Sequence, residues 1–213
     1  MKKEIFVISL IVVIVFVVFY GLSGPSNNDK KPDDNDQTTM ITTVNVPLNM
    51  IALTLDDVYG NYNKTAEKHM TEPYTAENAT GNGLSWNIIE HYQSAFSENN
   101  DNIASAQNDP TNMITQSITK LESKEKAEYY VNLKKLQLIE KKGYTNLSME
   151  TIGCKSFYLT TKVTYDEDEY DYYLLVFSIG DVVVTIGGLA SGQSTYVDYA
   201  KIIESNVINA VEN

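Results

Sequence analysis

The sequence predicts an α+β fold in which an antiparallel sheet is flanked by helices on both faces, preceded by one N-terminal transmembrane helix. Three observations carry this. The runs Tyr172 to Phe177 (YYLLVF) and Val182 to Ile186 (VVVTI) are apolar on both parities, so their sheet must be covered on both faces. Two helical patterns, from Ser123 to Lys142 and from Thr195 to Val211, are available to cover it. The stretch Ile5 to Leu22 is broken only by Ser9, Tyr20 and Gly21 and cannot be left in water.

As a helix, that first stretch reaches roughly 27 Å, close to the roughly 30 Å hydrocarbon core of a bilayer. Met1-Lys2-Lys3-Glu4 followed by an apolar run is also the layout of a cleaved secretory signal, with Gly21-Leu22-Ser23 as the small-x-small site. The run exceeds the roughly 7 to 15 residues of a signal core, which favours a retained anchor over residues 1–22. Flanking charge does not orient it, since Lys30 and Lys31 balance Lys2 and Lys3. Long domains translocate largely regardless of charge, which places the C-terminal domain outside the cytoplasm on a single-pass anchor. Residues 23–49 are polar, rich in Asn, Asp and Pro and without periodicity. They read as a disordered stalk, and a domain spanning 50–213 is expected to fold without it.

About 160 residues remain, enough for one domain with a core of its own. From Met50 onward 12 Lys face 23 Asp and Glu, a net charge of −11, and the whole chain has no Arg. Such a domain repels nucleic acid and anionic lipid, and lacks the guanidinium fork used to read phosphates and bases. One Cys excludes an internal disulfide, so packing must supply the stability.

Along the domain, Leu53 and Leu55 lead through Asp56-Asp57 to a turn at Tyr59-Gly60-Asn61-Tyr62 and a strand-like piece. Thr71 to Gly83 reads as a loop with Pro73, Gly81 and Gly83 as breakers. Leu84, Trp86, Ile88, Tyr92 and Phe96 share one parity, which favours a strand, with a helix as the alternative because Ile89 breaks the alternation. Asn99 to Asn112 is a loop, and Met113 to Leu121 alternates as a strand with Thr and Ser between Ile114 and Ile118. Ser123 caps a helix that Gly143 stops. Its apolar residues form two stripes, Ala127, Val131 and Leu138 on one side and Tyr129, Leu133 and Leu136 on another. Phe157, Leu159, Val163 and Tyr165 alternate, Asp166 to Glu169 turn, and Ser178-Ile179-Gly180-Asp181 turns again, which gives a three-stranded antiparallel meander. Tyr196, Tyr199, Ala200, Ile203, Val207 and Val211 recur at helical steps and close the chain.

The order Leu-x-Asp-Asp, Tyr-Gly-x-Tyr, a Trp-bearing strand, a helix opening Ser-x-x-x-Ala, Ile152-Gly153, YYLLVF, the Ile-Gly-Asp turn, VVVTI and a closing amphipathic helix resembles a PsbP-like domain, over roughly Leu53 to Val211. The resemblance implies an α/β/α sandwich. It carries no catalytic residues onto this chain, and nothing in the sequence supports a photosynthetic role.

No stretch forms a catalytic, cofactor or metal motif. Asp166 to Asp171 lacks the glycine and the distant Glu of a calcium loop and reads as a solvated turn. Gly187-Gly188 and Gly192 lack the Lys and spacing of a phosphate loop. Cys154 reads as a small buried residue, since His69 and His91 share no motif with it. The sequons at Asn63, Asn78 and Asn146 are as many as composition alone would produce. Of the 14 tyrosines in the domain, Tyr130, Tyr158, Tyr170 and Tyr172 are the candidates for exposure and contact. The expectation is therefore a membrane-tethered, non-catalytic binding or support module of the cell envelope, acting on an envelope protein or glycan. The competing class is an exported hydrolase, which would require a site converging His69, His91, Cys154 or paired carboxylates.

Overall fold

A computed structural model describes residues 41–76, 84–98, 113–165, 167–189 and 192–212. The apolar run at 5–22, the stalk up to residue 40, the Asn78 sequon and the loop expected from Asn99 to Asn112 lie outside the described residues. No helix among those described is long and apolar enough to cross a membrane.

The elements in chain order are α1 (Leu48–Ile51), β1 (Asn63–Met70), β2 (Tyr74–Ala76), β3 (Trp86–Ile88), β4 (Glu90–Ser97), β5 (Met113–Lys120), α2 (Lys124–Lys142), β6 (Thr145–Leu147), β7 (Lys155–Tyr165), β8 (Asp168–Ile179), β9 (Val182–Gly188) and α3 (Gln193–Glu212). Seven strands form one antiparallel sheet in the order β1-β4-β5-β9-β8-β7-β6, and β2 pairs with β3 as a separate hairpin. The meander β7-β8-β9 stands where the alternation placed it, and Gly180 turns β8 into β9 at φ 55°. Helix α2 is capped at both ends as expected. Ser123 Oγ accepts from the Lys126 N–H at 3.3 Å, and Gly143 ends the helix in the left-handed region.

Alternation along β8 and β9 sends side chains to two cores. On the front face, Leu175, Phe177, Val184 and Ile186 pack with Ile114, Ile118 and the α3 residues Tyr196, Tyr199, Ile203 and Val207. On the back, Phe157, Leu159, Leu174, Val176 and Val183 pack under Ala127, Val131, Leu133 and Leu138 of α2, with Trp86 and Ile88 beside them. Helices thus cover both faces of the sheet, as its two apolar parities require.

Four expectations need correction. Among the described residues, burial starts before Met50 and already includes Ile41. Ile41, Val44 and Leu48 are in the front core, and residues 41–53 form a strap across it. Eight of the thirteen strap residues are apolar, and side chains rather than a strand ladder satisfy its backbone. Asp181 Oδ1 accepts from Val44 N–H at 2.9 Å and Lys120 Nζ donates to Val44 O. Glu90 Oε1 accepts from Leu48 N–H at 2.8 Å. The Gln116 amide both accepts from and donates to the backbone of Leu53, each at 2.9 Å.

The second correction concerns the single parity from Trp86 to Phe96. The chain breaks at Ile89, so Trp86 and Ile88 enter the back core while Tyr92 and Phe96 enter the front. Third, the stretch read as a loop after Thr71 contains β2, which hairpin pairing with β3 stabilises. Fourth, Tyr158 and Tyr172 are buried at 0% and 7% exposure, whereas Tyr59 and Tyr129 are exposed. The second stripe of α2 accordingly splits, with Tyr129 in solvent and Leu133 in the core.

Candidate functional site

The back of the sheet is apolar only on one side. Helix α2 lies on β7, β8 and β9, and β4 and β1 extend beyond it past β5. Strand register arranges the back-face residues there into cross-strand rows. Met70, His91, Thr119 and Val183 form one row, Lys68, Gln93, Ser117 and Thr185 the next, and Ala66, Ala95, Thr115 and Gly187 a third. At about 4.8 Å between strands and about 6.8 Å between same-face residues, these rows make a patch roughly 14 Å on each side.

Its residues are small, hydroxylated or amide-bearing, and none of the twelve is acidic. Gln93, Ala95, Thr115 and Ser117 are half-buried, Ala66 and Lys68 are exposed, and His91, Thr119 and Thr185 are buried toward its margins. Cross-strand hydroxyl pairs suit a pleated surface, and a strand with one polar parity is a strand with one face near water.

Charge at this patch is positive. Lys68 and Lys134 both act on His91 through their charge, although burial is the main reason the imidazole is pushed down to about 4. Lys134, on the inner side of α2, is itself 4% exposed, and burial holds its ammonium well below the ordinary lysine range, with the like charge of Lys142 adding to the effect. Its Nζ stands 5.6 Å from the centroid of Tyr130. Trp86 meets the same ring edge-on at 5.0 Å, and its buried indole N–H has no hydrogen-bond partner among the described residues. Lys68 thus offers an ammonium, and the three rows hydroxyls and amides, to an anionic or polyhydroxylated ligand.

His91 Nδ1 is 3.0 Å from Thr119 Oγ1, and Nε2 is 3.4 Å from Gln93 Oε1. The histidine is 1% exposed. This is the arrangement of a satisfied core imidazole and not of a base presented to substrate. His69 lies on the front instead, with Nε2 2.6 Å from Glu90 Oε1 and its ring edge-on to Tyr92. Cys154 precedes β7, donating its N–H to Ser178 O at 2.7 Å, and burial pushes its half-buried thiol up. Lys155 is in register with Ser178, and the row runs on through Val183 and Thr119 to His91, so four strand spacings, roughly 19 Å, separate Cys154 from His91. The structure does not bring the three residues together.

Among the described residues no group of acidic, His and Cys side chains could hold a metal ion. Glu167, Asp168, Glu169 and Asp171 are exposed at the β7–β8 end, where Lys162 Nζ lies 2.9 Å from Asp171. Of the sequons, Asn146 is exposed on β6 and Asn63 is half-buried at the start of β1. Tyr170 and Tyr130 are half-buried. The patch itself was missed from sequence, although its signal is present in the alternation of Thr115, Ser117 and Thr119 with Ile114, Gln116 and Ile118. Polar parity in β5 marks an open face as well as a strand.

No protein-family model matches the chain, and no curated protein matches it in sequence. The fold is similar to that of the extracellular domain of PknH from Mycobacterium tuberculosis, with a TM-score of 0.50 at 10% identity over 75% of this chain and 93% of that domain. At that identity the likeness is one of fold alone. The helix-covered antiparallel sheet is therefore an architecture that recurs in a distant protein.

Proposed function

We propose that the protein is a membrane-tethered, extracytoplasmic binding or support module of the cell envelope, non-catalytic, held by the single-pass segment Ile5 to Leu22 and built on a PsbP-like domain. The observation that carries the binding reading is the half of the back face that α2 leaves open, where rows of hydroxyl and amide side chains replace a core. The tether reading is supported by the length of the apolar run and by its place before the strap, which leads directly into the front core. A folded domain entered through so well-held a segment suits a permanent attachment. Its distant structural neighbour is an extracellular domain, which agrees with a place outside the cytoplasm. The absence of Arg and the acidic surface argue against nucleic acid as a partner.

The experiment is fractionation of cells expressing the full chain, with N-terminal sequencing and surface protease treatment. Membrane-bound protein that retains Met1 to Leu22 and is digested from outside is the expected result. Mature protein starting near Ser23 or Pro25, or protection from external protease, rules the tether or its orientation out.

A further inference from the structure

The back-face patch has a chemistry narrow enough to name a ligand class. We propose that it binds a short carboxylate-bearing oligosaccharide, laid across β1, β4, β5 and β9. The inference rests on the binding reading above and specifies its ligand.

Three features of the patch select that class. First, its only ionic side chain is Lys68, with Lys134 behind it on α2, in a domain whose residues from Met50 onward sum to −11. Screening over about 8 to 10 Å in physiological salt confines a ligand's charge to its near neighbours, so the exposed Lys68 outweighs the distant acidic surface. A cation would find no carboxylate on the three rows, whereas an anion finds an ammonium at the rim. Second, half-buried Gln93, Thr115 and Ser117 keep amide and hydroxyl groups at the surface of an area roughly 14 Å on a side, with Gln93 Oε1 shared with His91 and the Thr115 hydroxyl donating to Gly187 O at 3.0 Å. Sugar hydroxyls, which also donate and accept, match such a surface. Third, an extended peptide would pair along the outer edge of β1 or need alternating apolar pockets, whereas the rows lie on the face of the sheet and hold no such pockets. Trp86 adds a buried indole N–H with no partner among the described residues, a donor that an anionic ligand or its bound water would satisfy.

The test is calorimetric titration of the full chain in detergent micelles with trigalacturonate, with maltotriose as the neutral trisaccharide and with inorganic phosphate. Saturable binding of trigalacturonate is expected, weakened by added salt, with maltotriose at least 10-fold weaker. Lys68→Glu is expected to weaken trigalacturonate at least 10-fold at an unchanged thermal midpoint, because Lys68 is exposed. Ser117→Val is expected to weaken it several-fold. No trigalacturonate binding, equal binding by Lys68→Glu, equal binding of maltotriose, or phosphate binding as tightly as the saccharide overturns the proposal. A cleaved or cytoplasmic chain would sink the tether reading while leaving this titration untouched, and a failed titration leaves the tether standing.

Discussion

The front and back of the sheet are built from the same strands and finished differently. On the front, α3 and the strap 41–53 close over every strand of the centre, and polar side chains that point there, such as Gln116 and Asp181, are used to grip strap backbone. On the back, α2 closes over β7 to β9 and the remaining strands turn to Thr, Ser and Gln. A fully covered face is a stability device, and polar groups inside it are obligate. A partly covered face exposes polar groups that stability does not need, and such groups are free to meet a ligand.

The largest expected effect comes from uncovering the front. A chain beginning at Met50 loses Ile41, Val44 and Leu48, each a buried aliphatic worth about 1.5 to 3 kcal/mol. The sum, about 6 kcal/mol, is a large share of ordinary domain stability. Circular dichroism melts are expected to show that chain failing to fold cooperatively, while one beginning at Asp36 melts as the full domain does. Equal midpoints would mean that the strap is decoration.

Gln116 and Ser117 are sequence neighbours on opposite faces and give the sharpest contrast. Gln116→Leu leaves the buried N–H and C=O of Leu53 without partners, at about 4 kcal/mol for the two. Ser117→Ala, on the half-open back, is expected to change stability by no more than about 0.5 kcal/mol in urea unfolding. Similar losses in both variants would remove the distinction between the faces.

Between these in size is the effect of acid on His91. An unfolded imidazole takes its proton near 6.5, the folded one only near 4. Between those values the folded state binds fewer protons, so the stability is full above about pH 6.5 and is lost as pH falls toward 4. A difference of that size is worth about 3 kcal/mol at its full extent. Melting midpoints measured from pH 7 to 4 should fall more steeply for the parent than for His91→Asn, and parallel curves would contradict the burial of His91. Smallest is Cys154→Ser, expected within about 1 kcal/mol, with trigalacturonate binding retained.

The meander, the caps of α2 and the closing helix were legible because each is a local pattern. Ser123 and Gly143 bracket α2 through their own hydrogen bonds and dihedrals, and YYLLVF and VVVTI announce two-sided burial by composition. Sequence alone also determined the acidity, the absence of Arg and the apolar run at 5–22, since these are properties of composition. Tertiary structure decided the rest. Val44 and Leu48 join the core, with Ile41 alongside, because side chains from β4, β5 and the β8–β9 turn, 42 to 137 residues away, hold the backbone of Val44 and Leu48. The break at Ile89 sends Trp86 and Tyr92 to opposite faces, which no parity count across it could reveal. The back-face patch exists because register aligns polar residues of strands far apart in the chain, and because α2 is centred elsewhere. Such alignment is a property of pairing between strands and is written in none of them singly.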